Sequence, residues 1–391
     1  MLLLSGSGRD LGLEGADRAM AHRLHREVLV WRTRLDRALV RFSSRPLCDL
    51  DPSILAALRI GAVQILILGT PAHAAVSATV GALGGHSASG LVNAVLRKLA
   101  HEGEPPFDPG IESPHEFWSH PAQLVDRWTR RYGTEDTLRL MEWDNSPPPL
   151  GGCFSEGGGG LEHGRYIDDF RILPRTGADP TTELHGRIYL QDEGTVVAAR
   201  AAAALAAGGT VLEIGAAPGG KTLHLDAEAG IVVSLDSSPQ RMERWVENAA
   251  RMELSRSVPV AAAGDRLPFS MRFDLVFVDA PCTNTGVYRR RPDARWRWST
   301  ELLRSCSELQ GRLLESAAES VAPGGILFYS TCSLEPEENA LRAAWFEERF
   351  PGFSRVSPPA PAPLVADDLI SIFPPEHGID GIFAVAWRRT H

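Results

Sequence analysis

Short apolar runs separated by helical segments fill the second half of this 391-residue chain. The runs cover residues 211–214, 231–236, 258–263, 273–279 and 325–330. Helical patterns, for example over residues 240–253 and 300–321, lie between them. This alternation predicts a parallel α/β sheet of the Rossmann-like kind, with helices on its faces. One more apolar run, residues 383–387, is interpreted as an antiparallel hairpin partner that closes the sheet.

The N-terminal part of the chain predicts a separate all-helical domain. Apolar residues recur at three- and four-residue steps along residues 21–39, which indicates one amphipathic face. Asp51-Pro52 is typical of a helix start, with an N-cap followed by proline at the first helical position. Residues 54–68 are apolar enough to form the central buried helix, and two more helices are expected over residues 72–83 and 87–99.

We divide the chain into three predicted domains: a helical domain over residues 1–104, a small α+β domain over residues 115–195, and the α/β domain over residues 196–391. Four prolines and three glutamates in residues 102–114 indicate an exposed linker after the first domain. Six glycines and no apolar period in residues 151–160 predict a flexible loop inside the second domain.

Two short helices and one strand are expected in the small middle domain. Helical patterns cover residues 121–131 and 135–143, after which the prolines at 147–149 force an extended exit. Residues 188–193 are interpreted as a short strand that leads into an alanine-rich helix over residues 195–207.

Composition places the chain among ordinary soluble proteins, with 43% apolar and 23% charged residues. Five widely spaced cysteines do not predict a disulfide framework and fit a reducing compartment. No Cys/His group has zinc-ligand spacing, so we expect no metal. No segment is apolar enough for a membrane span, so we expect a cytoplasmic protein. We also expect a monomer. The net charge of −9 argues mildly against a nucleic-acid partner, although local arginine clusters matter more than the total.

A glycine-rich loop follows the first strand of the α/β domain and opens a helix. Its residues are Gly215, Ala216, Ala217, Pro218, Gly219, Gly220, Lys221 and Thr222. The spacing satisfies the Walker A pattern, so a nucleoside triphosphatase is one interpretation. Pro218 argues against it, because proline removes a backbone N–H from a loop that must present such groups to phosphate.

Two acids favour a different nucleoside ligand. Asp236 ends the second strand, 21 residues after Gly215, where an acid hydrogen-bonds ribose hydroxyls in nucleoside-binding α/β folds. Asp265 follows the third strand and offers a second acid for an adenine amine. The loop and the two acids together predict a pocket for S-adenosylmethionine.

Two cysteines each follow an apolar run: Cys282 in Asp279-Ala280-Pro281-Cys282 and Cys332 in Ser330-Thr331-Cys332-Ser333. The carboxyl ends of parallel strands form the ligand crevice, so both thiols could meet over one substrate. Carbon 5 of a pyrimidine is too electron-poor to take a methyl cation until a nucleophile such as a thiolate adds at carbon 6. Asp279 is placed to hydrogen-bond the edge of such a ring.

The remaining cysteines have no comparable surroundings. Cys306 shares one helical face with leucines, and Cys48 and Cys153 lie in loop-like segments without a nearby acid or base. All three are interpreted as unreactive packing residues.

An arginine- and tryptophan-rich segment follows Cys282. One interpretation is a solvated loop with one or two core tryptophans. The other is an RNA contact, with guanidinium groups for phosphates and aromatic faces for stacked bases. The predicted contact residues are Arg289, Arg290, Arg295 and Trp296.

Two resemblances to known families follow from these motifs. Residues 58–64 (LRIGAVQ), 71–76 (PAHAAV) and 91–97 (LVNAVLR) resemble the NusB-like RNA-binding fold. The glycine-rich loop, the two cysteine motifs and residues 377–381 (HGIDG) resemble the Sun/Fmu-type RNA cytosine-5 methyltransferases, in the bacterial form that carries a NusB-like domain. The likeness runs from about residue 17 to the end.

The resemblance implies S-adenosylmethionine as cofactor, small-subunit ribosomal RNA as substrate, Cys332 as nucleophile and Cys282 as the group that assists product release. It also places Lys221, Asp236, Asp265 and Asp279 around cofactor and target base. The chain departs from the family where Glu213, Gly215 and Thr283 stand, and at 150–160, where the family has an Arg/Asn-bearing strand. The alternative is a non-catalytic RNA-binding or ribosome-assembly factor on a methyltransferase-like scaffold.

Overall fold

The computed structural model describes residues 12–108, 113–154, 160–174 and 188–390. The chain forms two compact units that divide between Ser146 and Pro147. The predicted middle domain, 115–195, spans this division, because its helices belong to the first unit and its strands to the second. The three-domain division therefore stays a prediction.

The first unit is helical, as the sequence predicts. Its helices are α1 (Gly15–Val30), α2 (Arg32–Val40), α3 (Pro52–Leu66), α4 (Ala72–Gly81), α5 (Ser89–Glu102), α6 (Pro114–Phe117) and α7 (Ala122–Asn145), with a 3₁₀ turn at Leu47–Asp49. The side chain of Asp51 accepts a hydrogen bond from the Ser53 amide at 2.8 Å, which confirms the predicted N-cap of α3. Helix α3 packs against α1, α2, α4 and α5 and is the central buried helix.

Helix α7 contains both of the short helices predicted for residues 121–131 and 135–143. Gly133 lies between them with φ 80° and ψ 171°, which is outside the helical region. The two predicted helices are therefore confirmed as the two arms of a helix interrupted at Gly133.

The second unit begins with a four-stranded antiparallel sheet. Its strands are β1 (Leu150–Phe154), β2 (Glu162–His163), β3 (Phe170–Leu173) and β4 (Ile188–Leu190), in the order β2-β3-β1-β4. The predicted flexible loop is wrong for residues 151–154, which form part of β1, and residues 155–159 lie outside the described residues. A Cβ on Gly152 would lie 2.1 Å from the Tyr189 carbonyl oxygen, so glycine here permits close strand pairing.

A nine-stranded mixed sheet forms the centre of the second unit. Its strands are β5 (Thr210–Ile214), β6 (Ile231–Asp236), β7 (Ser257–Ala261), β8 (Phe273–Asp279), β9 (Val321–Thr331), β10 (Phe353–Val356), β11 (Val365–Ala366), β12 (Leu369–Ser371) and β13 (Phe383–Arg389). The order is β11-β12-β13-β9-β8-β5-β6-β7, and β10 also pairs with β13. Strands β5 to β9 are parallel, which confirms the five predicted strands.

Strand β13 pairs antiparallel with β9, as predicted. It does not close the sheet, because β12 and then β11 continue beyond it. It is also not a hairpin partner, since helices and strands separate β9 from β13 along the chain.

Helices cover both faces of this sheet. They are α8 (Glu193–Ala206), α9 (Thr222–Glu228), α10 (Pro239–Arg251), α11 (Pro292–Arg295), α12 (Thr300–Ser320), α13 (Ala340–Arg349) and α14 (Pro374–His377). Alternate residues of β8 enter different cores: Phe277 packs with α8 residues on one face, and Val276 packs with α12 residues on the other. A strand buried on both faces needs a continuous apolar run, which is why β8 is visible in the sequence.

The connectivity of the sheet creates a crevice at one edge. From β5 the chain passes to β6 and β7 on one side, then crosses to β8 on the other side of β5. Ligands of such sheets bind outside the carboxyl ends of the strands at this reversal. Among the described residues, no helix has the length and apolar character needed to cross a bilayer.

Candidate active site

The glycine-rich loop joins β5 to α9 at the reversal of strand order. Gly215 has φ 87°, and a Cβ at this position would lie 2.4 Å from the carbonyl oxygen of Asp279 at the end of β8. Both the left-handed backbone and this close approach require glycine. The loop and the end of β8 therefore form one wall of the crevice.

Asp236 lies beside this loop, as predicted. Its carboxylate accepts hydrogen bonds from the amides of Ala217 at 3.3 Å and Ser238 at 3.0 Å, and it pairs with Arg241 at 3.2 Å. Only 2% of its side chain is exposed. Asp236 thus fixes the loop to the end of β6.

Asp265 lies further from the loop along the chain, after β7. It forms an ion pair with Arg312 of α12, 3.2 Å from carboxylate to Nε. It also lines a cavity of about 580 Å³ bounded by the β7–β8 connection and α12. This ion pair joins Asp265 to α12.

Lys221, at the end of the glycine-rich loop, contacts Asp279. Its Nζ donates to Oδ2 of Asp279 at 2.7 Å, and Ser330 Oγ donates to the other carboxylate oxygen at 3.3 Å. Burial acts to lower the pKa of Lys221, but Asp279 and Cys332 outweigh it, so this pKa lies above its ordinary value. A charged amine therefore stands beside Asp279 and within the electrostatic reach of Cys332.

The two predicted thiols meet at the ends of neighbouring strands. Asp279 of β8 pairs in register with Ser330 of β9, so the segments that follow leave the same edge of the sheet. The Sγ atoms of Cys282 and Cys332 lie 3.3 Å apart. Asn284 connects them, since its Oδ1 accepts from Cys332 Sγ at 3.3 Å and its Nδ2 donates to the Cys282 carbonyl at 2.7 Å.

The two thiols have different electrostatic surroundings. The hydrogen bond with Cys332 is the main cause that raises the pKa of Cys282 well above its ordinary value, and burial and the charge of Glu338 add to it. Cys282 is consequently a protonated thiol at neutral pH. Cys332, by contrast, interacts with the amine of Lys221.

Two buried acids were not identified from the sequence as site residues. Glu213 of β5 accepts from Thr222 Oγ1 at 2.6 Å and Ser234 Oγ at 3.0 Å, and burial raises its pKa to about 7. Glu338 lies between the two cysteine segments and is fully buried. Their positions next to a site motif, Glu213 before Gly215 and Glu338 after Cys332, are the only sequence signal for them.

The arginine- and tryptophan-rich segment is largely internal. Arg289 pairs with Asp380 at 3.1 Å, and Arg290 pairs with Asp380 at 2.6 Å and with Asp192 at 2.8 Å. Arg295 is 0% exposed, and Trp296 is half-buried. Arg289 and Arg290 bind the protein's own carboxylates, and a guanidinium group held in this way has little surface left for a ligand. The RNA contacts through Arg289, Arg290 and Arg295 stay a prediction.

Among the described residues, no group of three or more His, Cys, Asp or Glu side chains is arranged to hold a metal ion.

Known families match both parts of the chain. Residues 201–388 match the family described as 16S rRNA methyltransferase RsmB/F, and residues 3–101 match the NusB family. Ribosomal RNA small subunit methyltransferase B of Pseudomonas putida is 30% identical over 94% of this chain and 89% of its own. The chain belongs to the RsmB/F methyltransferase family. The probable enzyme of the same name from Bacillus subtilis is 30% identical and matches 91% of this chain and 87% of its own.

Solved structures agree with the fold. The crystal structure of PH0851 has a TM-score of 0.79, with 24% identity over 96% of this chain and 91% of that chain. A methyltransferase homolog from Pyrococcus horikoshii has a TM-score of 0.60, with 24% identity over 72% of this chain and 100% of that chain. The predicted NusB-like domain, Rossmann-like methyltransferase domain and S-adenosylmethionine cofactor are confirmed by the family, and the non-catalytic alternative is not favoured.

Proposed function

We propose that this protein transfers a methyl group from S-adenosylmethionine to carbon 5 of a cytosine in small-subunit ribosomal RNA. Relatives named as small-subunit ribosomal RNA methyltransferases support the substrate class. The observation that supports carbon 5 as the methylated ring atom is the contact of two thiols, 3.3 Å apart, beside the strand that ends in Asp279. Methylation at carbon 5 needs a nucleophile at carbon 6, and direct methylation of a ring nitrogen does not.

The residues of the crevice fit the cofactor. The backbone of residues 215–221 passes the end of β8 too closely for a side chain at Gly215, and Asp236 is held beside it. Bound there, S-adenosylmethionine supplies an electrophilic methyl group. We assign its binding to Gly215, Ala216, Ala217, Pro218, Gly219, Gly220, Lys221, Asp236, Asp265 and Asp279.

In the proposed reaction, Cys332 Sγ bonds to carbon 6 of the cytosine as a thiolate. Asp279 hydrogen-bonds the ring edge and orients the base, and the amine of Lys221 beside it stabilises the negative charge that develops on the ring. The electron pair released to carbon 5 then takes up the methyl group, and the electron pair of the broken methyl–sulfur bond would stay on the sulfur of the cofactor. The amine of Lys221 near Cys332, and the protonated state of Cys282, support this assignment of the nucleophile.

Product release reverses the addition. The proton at carbon 5 is removed by a base, the double bond between carbons 5 and 6 re-forms, and Cys332 leaves with the electron pair of the carbon–sulfur bond. Cys282 lies in contact with the leaving sulfur and assists this elimination.

A base in a helix or stack must first be turned out into this crevice. We propose that residues 1–104 form the NusB-like RNA-binding domain, that residues 115–195 form a small RNA-contacting domain, and that the protein acts as a monomer. On the loop after Cys282, the half-buried Trp296 remains a proposed RNA contact.

The test is methyl transfer from radiolabelled S-adenosylmethionine to 16S ribosomal RNA that lacks the modification, followed by nucleoside analysis. We expect label in 5-methylcytidine, and none with Cys332→Ala. The exposed Cys48→Ala is the matched control and should retain activity. Label in another nucleoside, or no label in any RNA, would refute the proposal.

A further inference from the structure

One buried carboxylate links the segments that carry the two thiols. Glu338 is 0% exposed and accepts from the Thr283 amide at 3.0 Å and from Thr283 Oγ1 at 2.5 Å. It also accepts from the hydroxyl of Ser333. Thr283 directly follows Cys282, and Ser333 directly follows Cys332. A single side chain is thus bonded to the chain neighbour of each thiol.

The groups around Glu338 are fully buried and bonded to one another. Gln310 of α12 donates to Glu338 at 3.1 Å, and the Ser333 hydroxyl lies 3.2 Å from those of Thr283 and Thr285. All four of these residues are at most 1% exposed. Hydrogen bonds in such a buried, low-dielectric network are strong, so they hold the segments after Cys282 and Cys332 in a fixed relative position.

The charge of Glu338 acts on Cys282. Burial raises the pKa of Glu338, and the hydrogen bonds from Ser333, Thr283 and Gln310 oppose that shift. Four donors converging on one carboxyl group suit the ionised form, which only accepts. Its negative charge contributes to the raised pKa of Cys282.

Other ionisable groups also surround this carboxylate. Tyr329 of β9 and Cys306 of α12 interact with it, and Arg342 of α13 interacts with Tyr329. Burial is the main cause that raises the pKa of both Tyr329 and Cys306, so these two groups are neutral at neutral pH. Among these groups, Cys282 belongs to the proposed reaction, and the charge of Glu338 raises its pKa.

We propose that Glu338 is a positioning residue for methyl transfer, which holds the segments after Cys282 and Cys332 together and keeps Cys282 a neutral thiol while Cys332 attacks. This inference rests on the proposed function and adds a residue that touches neither the base nor the cofactor. If Cys282 ionised as well, two thiolates would repel each other at 3.3 Å, and the attacking group would lose its hydrogen-bonding partner.

The experiment compares the full chain with Glu338→Gln, which keeps the size of the side chain and removes its charge. Glu337→Gln, one residue earlier and half-buried, is the matched control. Methyl transfer is measured per cofactor-binding site, counted by equilibrium dialysis, so that a misfolded fraction does not enter the rate. We expect kcat of Glu338→Gln to fall about 10²-fold with KM for RNA and cofactor unchanged, as for a small misplacement of reacting groups. Glu337→Gln should match the unsubstituted protein.

A second readout separates the charge from the fold. In a Cys332→Ala background, alkylation of Cys282 by iodoacetamide is followed against pH by mass spectrometry of its peptide. Removal of the Glu338 charge should move the midpoint of this titration to lower pH, since one cause that raises the pKa of Cys282 is gone. A purely structural role for Glu338 would leave the midpoint in place.

The outcomes are distinct. An unchanged kcat in Glu338→Gln, or an unchanged alkylation midpoint, overturns the role of Glu338 and leaves the proposed function standing. Absence of 5-methylcytidine from the reaction of the unsubstituted protein overturns the function itself. A lower kcat together with a lower midpoint supports the inference.

Discussion

The amine of Lys221 and the carboxylate of Asp279 are 2.7 Å apart and connect the glycine-rich loop to the end of β8. Both side chains are mostly buried, with 18% and 27% exposed. A residue of the predicted cofactor loop is thereby fixed against a residue that would contact the target base. Loss of either charge would leave the other unpaired in a partly desolvated crevice.

Replacement of Lys221 by methionine should therefore reduce methyl transfer strongly. We expect kcat/KM to fall by about 10²-fold or more, because Asp279 loses its partner and Cys332 loses a nearby positive charge. The measurement is transfer of labelled methyl groups to RNA. Lys98→Met, on the exposed face of α5, is the control and should leave the rate unchanged. Wild-type activity in Lys221→Met would contradict the placement of Lys221 in the site.

Substitution of the two cysteines should separate their roles. Cys282→Ala should accumulate a covalent protein–RNA adduct in the presence of S-adenosylmethionine, because addition proceeds and elimination is impaired. Cys332→Ala should form no adduct, since the nucleophile is missing. Denaturing gels with labelled RNA measure this, and Cys306→Ala serves as the control. An adduct in Cys332→Ala and none in Cys282→Ala would exchange the two assignments.

Gly152→Ala should destabilise the second unit by about 1–3 kcal/mol, the usual effect of overpacking. Its Cβ would lie 2.1 Å from a backbone oxygen of the paired strand β4, which can move only with the whole strand. Gly352→Ala is the control, since a Cβ there meets nothing within 4 Å. Urea unfolding of both variants gives the comparison. Equal stability would mean that β1 and β4 do not pair this closely.

Glu213 should make stability depend on pH, since burial raises its folded pKa to about 7 from an ordinary value of 4.5. The folded protein then binds the proton more tightly than the unfolded chain does. The contribution of Glu213 to the free energy of unfolding is complete below its unfolded pKa and is lost as pH rises through about 7. This contribution amounts to about 3 kcal/mol.

The check is the free energy of unfolding of the cofactor-free protein and of Glu213→Gln between about pH 5 and pH 8. The advantage of the unsubstituted protein over the variant should shrink as pH rises. The exposed Glu228→Gln should show no such trend relative to the unsubstituted protein. A constant difference for Glu213→Gln would show that its carboxyl does not titrate in this range.

The elements that could be predicted are those whose burial pattern is continuous along the chain. Strands β6 and β8 match the predicted residues 231–236 and 273–279, because parallel strands covered on both faces need unbroken apolar runs. Strand β1 escaped prediction because Gly151 and Gly152 carry no side chain whose polarity could form a pattern. The need for glycine at these two positions becomes visible only in the structure, where β3 and β4 leave no room for a side chain.

The candidate site also has a part that the sequence predicts and a part that it does not. Cys282 and Cys332 follow strands visible in the sequence, and neighbouring strand ends bring them together, so their meeting is predictable from topology. The partners of the charged groups cannot be predicted from topology. Arg290 pairs with Asp380, 90 residues away, and Glu338 binds Thr283, 55 residues away.

The sequence by itself determines the five parallel strands of the sheet, the glycine-rich loop and the two thiols at its edge, because each rests on local patterns of polarity and backbone freedom. Only the tertiary structure decides that Arg289, Arg290 and Arg295 turn inward and that Glu338 lies between the thiol segments. The physical reason is that the energy of a charge depends on which opposite charges and donors lie within a few ångströms in space. Separation along the chain does not fix that distance.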